Sequence, residues 1–287
     1  MMQSGSSYIK LILVAIVAVI AMSLVPVLVK SMTANEVTVG IVRLAIGFVG
    51  ITLLMLFSKT IKRPEKKDFK WLVLLGVTFA LHWYCYFVAI KQTDASVAAI
   101  GVATFGIHLL FLSAIFEKMT IRLADIIAVI IAFYGIYLVL PELDFKATKT
   151  IGFLIAILSG LFYACLPLIN RKISHVSTSA RASWQFGIAL LCFLLLIPQA
   201  NFDLPVVDWQ NLVVLGVVST LLAHTLWIKV TTELPSSFSA VIYYAYVPLA
   251  MILSYWIIDE PMTAQKIAGA SLIIAANVMV VLLHKKG

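Results

Sequence analysis

Charge disappears from this chain for long stretches, ten times over. Uninterrupted apolar windows run Tyr8–Val29, Val37–Phe57, Trp71–Ile90, Ala95–Phe116, Ala124–Leu140, Ile151–Asn170, Ala182–Pro198, Leu212–Val230, Phe238–Ile258 and Ile267–Leu283. Each is roughly 17 to 22 residues long, the length needed to carry a helix across a hydrocarbon core. None alternates with the period of two expected of barrel strands, which are about 10 residues long. With 62% of 287 residues hydrophobic and only 12% charged, a water-soluble globule is excluded. The windows predict an all-α integral membrane protein of ten transmembrane helices. The first window is too long for a signal-peptide core and lacks a small-x-small exit, so it reads as a retained helix.

The formal charge of +8 is spread over short interruptions between windows, with no sustained basic face of the kind that binds nucleic acid. Its distribution is a topology signal instead. With the N-terminus in the cytoplasm, Lys10, Lys59, Lys62, Arg63, Lys66, Lys67, Lys70, Lys118, Arg122, Arg171, Lys172, Arg181, Lys229, Lys285 and Lys286 all fall inside. Only Lys30, Lys91, Lys146, Lys149 and Lys266 fall outside. Basic loops stay cytoplasmic, so both termini are expected there, in a multi-pass protein of the inner (cytoplasmic) membrane. Cys85, Cys165 and Cys192 sit inside apolar windows without metal-ligand spacing, so neither a disulfide framework nor a metal site is expected.

The chain also resembles itself. Val14–Lys30 aligns with Ile155–Arg171 at an offset of 141, pairing Pro26 with Pro167 and Lys30 with Arg171. LVLLGV from Leu72 recurs as LVVLGV from Leu212, and the Glu-x-x-Thr at Glu117 recurs at Glu260. These matches divide the chain into two five-helix repeats, 1–145 and 146–287. Because five is odd, the second repeat must enter the membrane from the opposite side, giving inverted repeats about an in-plane axis. That arrangement suits alternating access, in which each half adopts the other's conformation around a midplane site.

The ten windows in five-plus-five form, the prolines late in windows one and six and the Glu-x-x-Thr loops after windows four and nine resemble the drug/metabolite transporter superfamily, EamA type, over nearly the whole chain. The resemblance implies a bacterial inner-membrane carrier, often an exporter of amino acids or related metabolites. Phe105 stands where this alignment puts Pro248 in the second repeat, so a weak or absent kink is expected in helix four.

The acidic residues all fall in loops or at helix ends, which leaves a cationic substrate without a charge partner in the membrane. A neutral, zwitterionic or anionic solute is expected. Candidate binding residues are the polar and aromatic side chains deep in the windows: His82, His108 and His224, with Trp83 and Tyr86 beside the first and Tyr243 and Tyr246 just before Pro248. Ser159, Tyr163, Pro167 and Asn170 recur every three or four residues as a polar stripe that should face a cavity. Trp184, Gln185 and Asn277 are weaker candidates. Arg43 binds a substrate carboxylate, snorkels toward the surface or braces a helix through backbone carbonyls. Pro26 and Pro167 are hinge candidates. Glu117 and Glu260 read as tethers of neighbouring helices rather than substrate contacts.

The leading function is export of a small amino-acid-like or aromatic solute by alternating access. Uptake or exchange of an organic anion or sugar derivative is the alternative within transport. From another class, a haem-binding redox protein would use the buried histidines as axial ligands, but they are single rather than paired. No HExxH, GxSxG or paired intramembrane carboxylates suggest an enzyme, and no cofactor is expected. The expected partners are a small-molecule substrate and the lipid bilayer, with monomer and homodimer both open.

Overall fold

A computed structural model describes residues 5–60, 64–139, 144–234 and 236–283. Residues 140–143, just before the junction expected between 145 and 146, lie outside the described residues, as do Lys62, Arg63, Lys285 and Lys286.

The described residues form helices and no strands. In chain order these are α1 (Gly5–Ser31), α2 (Glu36–Phe57), α3 (Phe69–Gln92), α4 (Ala95–Val102), α5 (Phe105–Glu117), α6 (Leu123–Val139), α7 (Thr148–Lys172), α8 (Thr178–Leu194), α9 (Val206–Val214), α10 (Thr225–Glu233), α11 (Ser236–Tyr244), α12 (Tyr246–Ile258) and α13 (Ala264–Leu283). Each apolar window falls largely on helix, although the seventh outruns α8, which ends at Leu194. Among the described residues, eight helical stretches have the length and hydropathy to cross a membrane, and Leu123–Val139 is a shorter apolar helix. α8 is likewise only 17 residues long. The protein is therefore a multi-pass helical membrane protein.

Local chemistry sets several boundaries. Asn35 caps α2, its side-chain oxygen accepting the Thr38 N–H at 2.9 Å, and Ser177 caps α8 through the Ala180 N–H at 3.3 Å. α5 and α12 end alike: Lys118 and Asp259 take left-handed conformations, and their N–H groups return to the Ser113 and Ser254 carbonyls. These paired caps fix a structural offset of 141. At that offset Glu260 matches Met119 rather than Glu117, and Pro248 matches Ile107 rather than Phe105. The Glu-x-x-Thr alignment is thus two residues out of register with the backbone.

Helix four does break, contrary to the sequence expectation, and without proline. The Thr104 hydroxyl donates to the Gly101 carbonyl at 2.7 Å and its N–H reaches the same carbonyl at 3.2 Å, so a local threonine turn displaces the helical ladder between α4 and α5. The matching break between α11 and α12 falls at Ala245, before Pro248. Helix eight holds a second departure, a π-helical segment at Leu215–His224 between α9 and α10. The Thr220 hydroxyl bonds the Leu215 carbonyl five residues back at 3.0 Å, and Ser219 donates to the Ala21 carbonyl of α1 at 2.6 Å. α1 and α7 run unbroken through Pro26 and Pro167.

Packing pairs the two halves of the chain reciprocally. α3 lies against α7, and α1 against the π segment and α10; α4 and α5 lie against α7, and α11 and α12 against α1. α2 meets α8, α4 meets α12 and α6 meets α13. The glycine of each recurring LVxLGV motif permits a further close approach, of α3 to α8 and of the π segment to α2: a Cβ on Gly76 would run into Ile188 of α8, and one on Gly216 would run into Ile46 of α2.

Ionic groups gather at the two ends of the bundle. Lys149 at the start of α7 pairs with Asp94 at 3.5 Å, and Arg171 at the end of α7 pairs with Glu117 at 3.5 Å, so these pairs lie at opposite ends. Two residues expected in solvated loops are buried. Lys266 pairs with Asp94 at 2.7 Å and Glu260 at 3.2 Å. Arg181 donates to Asn170 Oδ1, the Thr232 hydroxyl and the Val176 carbonyl, all within 3.0 Å.

Candidate functional site

The seam between the halves encloses two adjoining cavities. The larger, about 70 Å³, is lined by Phe79 of α3, Phe105 and Leu109 of α5, Tyr163, Leu166, Pro167, Asn170 and Arg171 of α7, Gln185 of α8, His224, Trp227, Ile228 and Thr231 of the eighth helix, and Ser239. The smaller, about 20 Å³, is lined by Met22, Val25, Arg43, His82, Trp83, Tyr86, Phe87, Val102, Tyr163, His224, Tyr243 and Tyr246. Tyr163 and His224 form part of both. The smaller has room for about one water, the larger for a few.

Aromatic rings supply most of the wall. His82 stacks on Tyr163 with centroids 4.8 Å apart, Tyr243 stacks on Tyr246 at 5.4 Å, and Phe105 stands edge-on to Tyr163 and Tyr243. The hydroxyls of Tyr86 and Tyr246 hydrogen-bond across the two halves. The Ser159 hydroxyl donates to the His82 carbonyl at 2.9 Å, leaving itself and its own carbonyl as acceptors for Nδ1–H of His82 at 2.8 and 3.0 Å. This assigns the proton to Nδ1 and leaves Nε2 as an acceptor.

Arg43 enters the smaller cavity from α2. It is wholly buried, Nε donates to Thr220 Oγ1 at 3.1 Å, and the guanidinium lies 4.2 Å over the Trp83 ring and 5.2 Å from that of Phe87. Both terminal nitrogens lack a hydrogen-bond partner. The carbonyl bracing considered from the sequence is therefore not present: the arginine's one hydrogen bond is to a hydroxyl.

The structure thus brings together most of the residues singled out from the sequence: Arg43, His82, Trp83, Tyr86, Tyr163, Asn170, His224, Tyr243 and Tyr246 line one or both cavities, and Pro167 lies in the wall. Asn170 has both ends of its amide engaged, by Arg181 and by the Leu166 carbonyl. Three candidates lie elsewhere. Trp184 faces a groove with Phe48, Met55 and Leu191, on the other side of α8 from Gln185. His108 lies 3.3 Å from the Thr104 hydroxyl and lines neither cavity. Asn277 is buried beside Gly106, donating to its own helix at the Ile273 carbonyl. Pro26 also lines neither cavity. Sequence reasoning missed Phe79, Phe105, Trp227 and Thr220; the adjacent hydroxyls of Ser219 and Thr220 were the available sign of an irregular eighth helix.

The end of the bundle beyond Arg43 is sealed. Lys30 donates to the Thr93 and Lys91 carbonyls at 2.5 and 3.3 Å, and Lys91 to the Met32 carbonyl at 2.7 Å. Glu260 accepts from the backbone and hydroxyl of Ser96 at the start of α4 and from Lys266. Asp208 accepts from Thr33 and Ala34. At the other end, exposed Arg171 lines the larger cavity and meets half-exposed Glu117 at 3.5 Å.

Comparison with known proteins agrees with this architecture. The profile of the EamA-like transporter family matches twice, over residues 9–140 and 150–282. An uncharacterized transporter of Archaeoglobus fulgidus is 22% identical, covering 91% of this chain and 92% of its own length, and a second from that organism is 23% identical over 86% and 89%. The uncharacterized transporter YxxF of Bacillus subtilis is 22% identical over 72% of this chain and 68% of its own. A solved crystal structure shares the fold with a TM-score of 0.70 at 17% identity, covering 96% of this chain and 98% of that one. With its profile matched in both halves, the chain belongs to the EamA-like transporter family.

Proposed function

We propose that the chain is a secondary carrier of the inner membrane that exports a small amino-acid-like or aromatic solute by alternating access between two inverted repeats, 1–145 and 146–287. The observation that carries this reading is a cavity walled by both halves, with Arg171 at one margin and a sealed network of Lys30, Lys91, Glu260 and Lys266 at the other end. The positive-inside rule makes the Arg171 end cytoplasmic, so this conformation faces inward. The reciprocal helix pairing and the matched caps at Lys118 and Asp259 support repeats of opposite sense. The stacked rings of Tyr163, Tyr243, Tyr246 and His82 suit a flat, partly apolar solute.

The space between His82 and His224 weighs against the haem alternative. Both rings line a cavity of only about 20 Å³, far too small for a porphyrin, and Phe79 packs near both, with its centroid 6.3 Å from the His82 ring and 5.4 Å from that of His224.

The test is counterflow of labelled solutes in proteoliposomes, using a panel of amino acids and aromatic metabolites. Saturable exchange of at least one solute is expected. Folded protein that exchanges none of them contradicts the reading.

A further inference from the structure

Resting on the carrier reading, we infer that Arg43 is the anchor for the carboxylate of a monoanionic substrate whose apolar or aromatic body lies along the cavity between the halves. A guanidinium buried in mid-membrane is retained only where something compensates it. Here the faces of the group are covered by Trp83 and Phe87 at 4.2 and 5.2 Å, and Nε is spent on Thr220. What stays open is the edge formed by the two Nη groups, both buried and without a partner, in the wall of the smaller cavity. Two parallel N–H donors in one plane match the two oxygens of a carboxylate.

Among the described residues no carboxylate pairs with Arg43. The buried acids Asp68, Asp208 and Glu260 are held at the ends of the bundle by His175, by Thr33 and Ala34, and by Ser96 with Lys266, and the fourth, Asp125 in the first turn of α6, accepts the Arg122 N–H at 2.7 Å. Thr220 is set for its role by the π segment: its hydroxyl proton goes to the Leu215 carbonyl, so its oxygen is free to accept Nε–H and orient the fork.

Charge number follows from the lining. Arg43 is the one cationic side chain of the smaller cavity, and Arg171, at the margin of the larger, is already paired with Glu117. A single charge balances a monoanion and leaves a phosphate dianion uncompensated. A volume of about 20 Å³ beside Arg43 holds about one water, so the rings must give way to admit the carboxylate, and the body must extend past Tyr163 and His224 into the larger cavity. An ammonium group on the same solute would find only aromatic faces and hydroxyls, so it is tolerated rather than required.

The experiment compares matched ligands on the full chain in lipid nanodiscs, by calorimetric titration and thermal shift. The probes are hexanoate, phenylacetate, 3-phenylpropionate and indole-3-propionate, each beside its carboxamide, with chloride and inorganic phosphate as separate arms. At least one carboxylate should bind ten or more times tighter than its amide. Arg43→Gln should remove that preference, bringing each acid and its amide to within about twofold of one another, and Arg43→Lys should restore part of it, since an ammonium keeps the charge without the fork. Equal affinity for acid and amide in the unaltered protein overturns the inference without any variant. So does binding by none of the carboxylates, or stabilisation by chloride or phosphate alone. Counterflow separates the two readings: exchange of neutral solutes without carboxylate preference sinks the anchor and spares the carrier. Carboxylate binding with no exchange of any solute does the reverse.

Discussion

Asp208 does for the loop after α1 what Asp68 does for the loop after α7, at the opposite end of the molecule. Asp208 accepts the Thr33 N–H and hydroxyl at 2.7 Å each and the Ala34 N–H at 3.2 Å, while Asp68 accepts His175 Nε2 at 3.0 Å. Each carboxylate reaches from one half of the chain to the other. The tethers differ in strength, because Asp208 satisfies three donors and Asp68 satisfies one half-exposed imidazole. Asp208→Ala should cost about 2–3 kcal/mol and Asp68→Ala about 1 kcal/mol, read as denaturant midpoints in mixed micelles. Equal losses would show that the seal is not concentrated at the Asp208 end.

A pH dependence follows from Asp94. Burial pushes its carboxyl up, but the hydrogen bond and charge of Lys266, with Lys149 beyond, pull it further down, and the net shift is below the ordinary value. A carboxylate depressed in the folded state contributes stability that is full above its unfolded pKa of about 3.9 and is lost as pH falls through the lower folded value. Melting temperatures of the unaltered protein and Asp94→Asn should therefore differ by a constant amount from pH 7 to about 5 and converge below about pH 4. A gap that stays constant into acid would remove the Lys266–Asp94 pair from the seal.

Arg181 tests the difference between a topology signal and a structural brace. Its buried guanidinium joins α8 to Asn170 of α7 and Thr232 of α10. Arg181→Ala should leave the Asn170 oxygen without its donor and cost about 2–4 kcal/mol, whereas an exposed loop cation would cost within about 0.5 kcal/mol. Thermal unfolding of Arg181→Ala beside Lys172→Ala, at an exposed neighbouring position, decides between them.

Much of this architecture was legible because membrane-spanning helices announce themselves by length and apolarity, and each window from Tyr8 to Leu283 falls largely on helix. Irregularities were not legible where they depend on one hydroxyl. Thr104 breaks its helix by bonding Gly101, while Thr38, also within a helix, bonds outward to the Asn201 carbonyl and leaves its helix intact. Repeat register was misread at Glu260, since three matching letters in four outweighed the backbone caps two residues away. In the site, helical spacing correctly grouped Tyr163, Pro167 and Asn170 on one face. Spacing says nothing about which neighbour a face meets, and so Trp184 was placed with the cavity when it turns away from it beside Gln185.

The most direct test of alternation measures both ends of the seam at once. Spin labels at Ser31 and Gln199 report the sealed end, and labels at Thr120 and Glu233 report the Arg171 end, in a background with Cys85, Cys165 and Cys192 replaced. In nanodiscs with and without a transported solute, halves that alternate give two distance populations in each pair, and the long distance at one end rises as the short distance at the other end rises. One unchanging distance at the Ser31 end under every condition, with solute exchange still proceeding, would contradict a carrier that works by opening each end of the seam in turn.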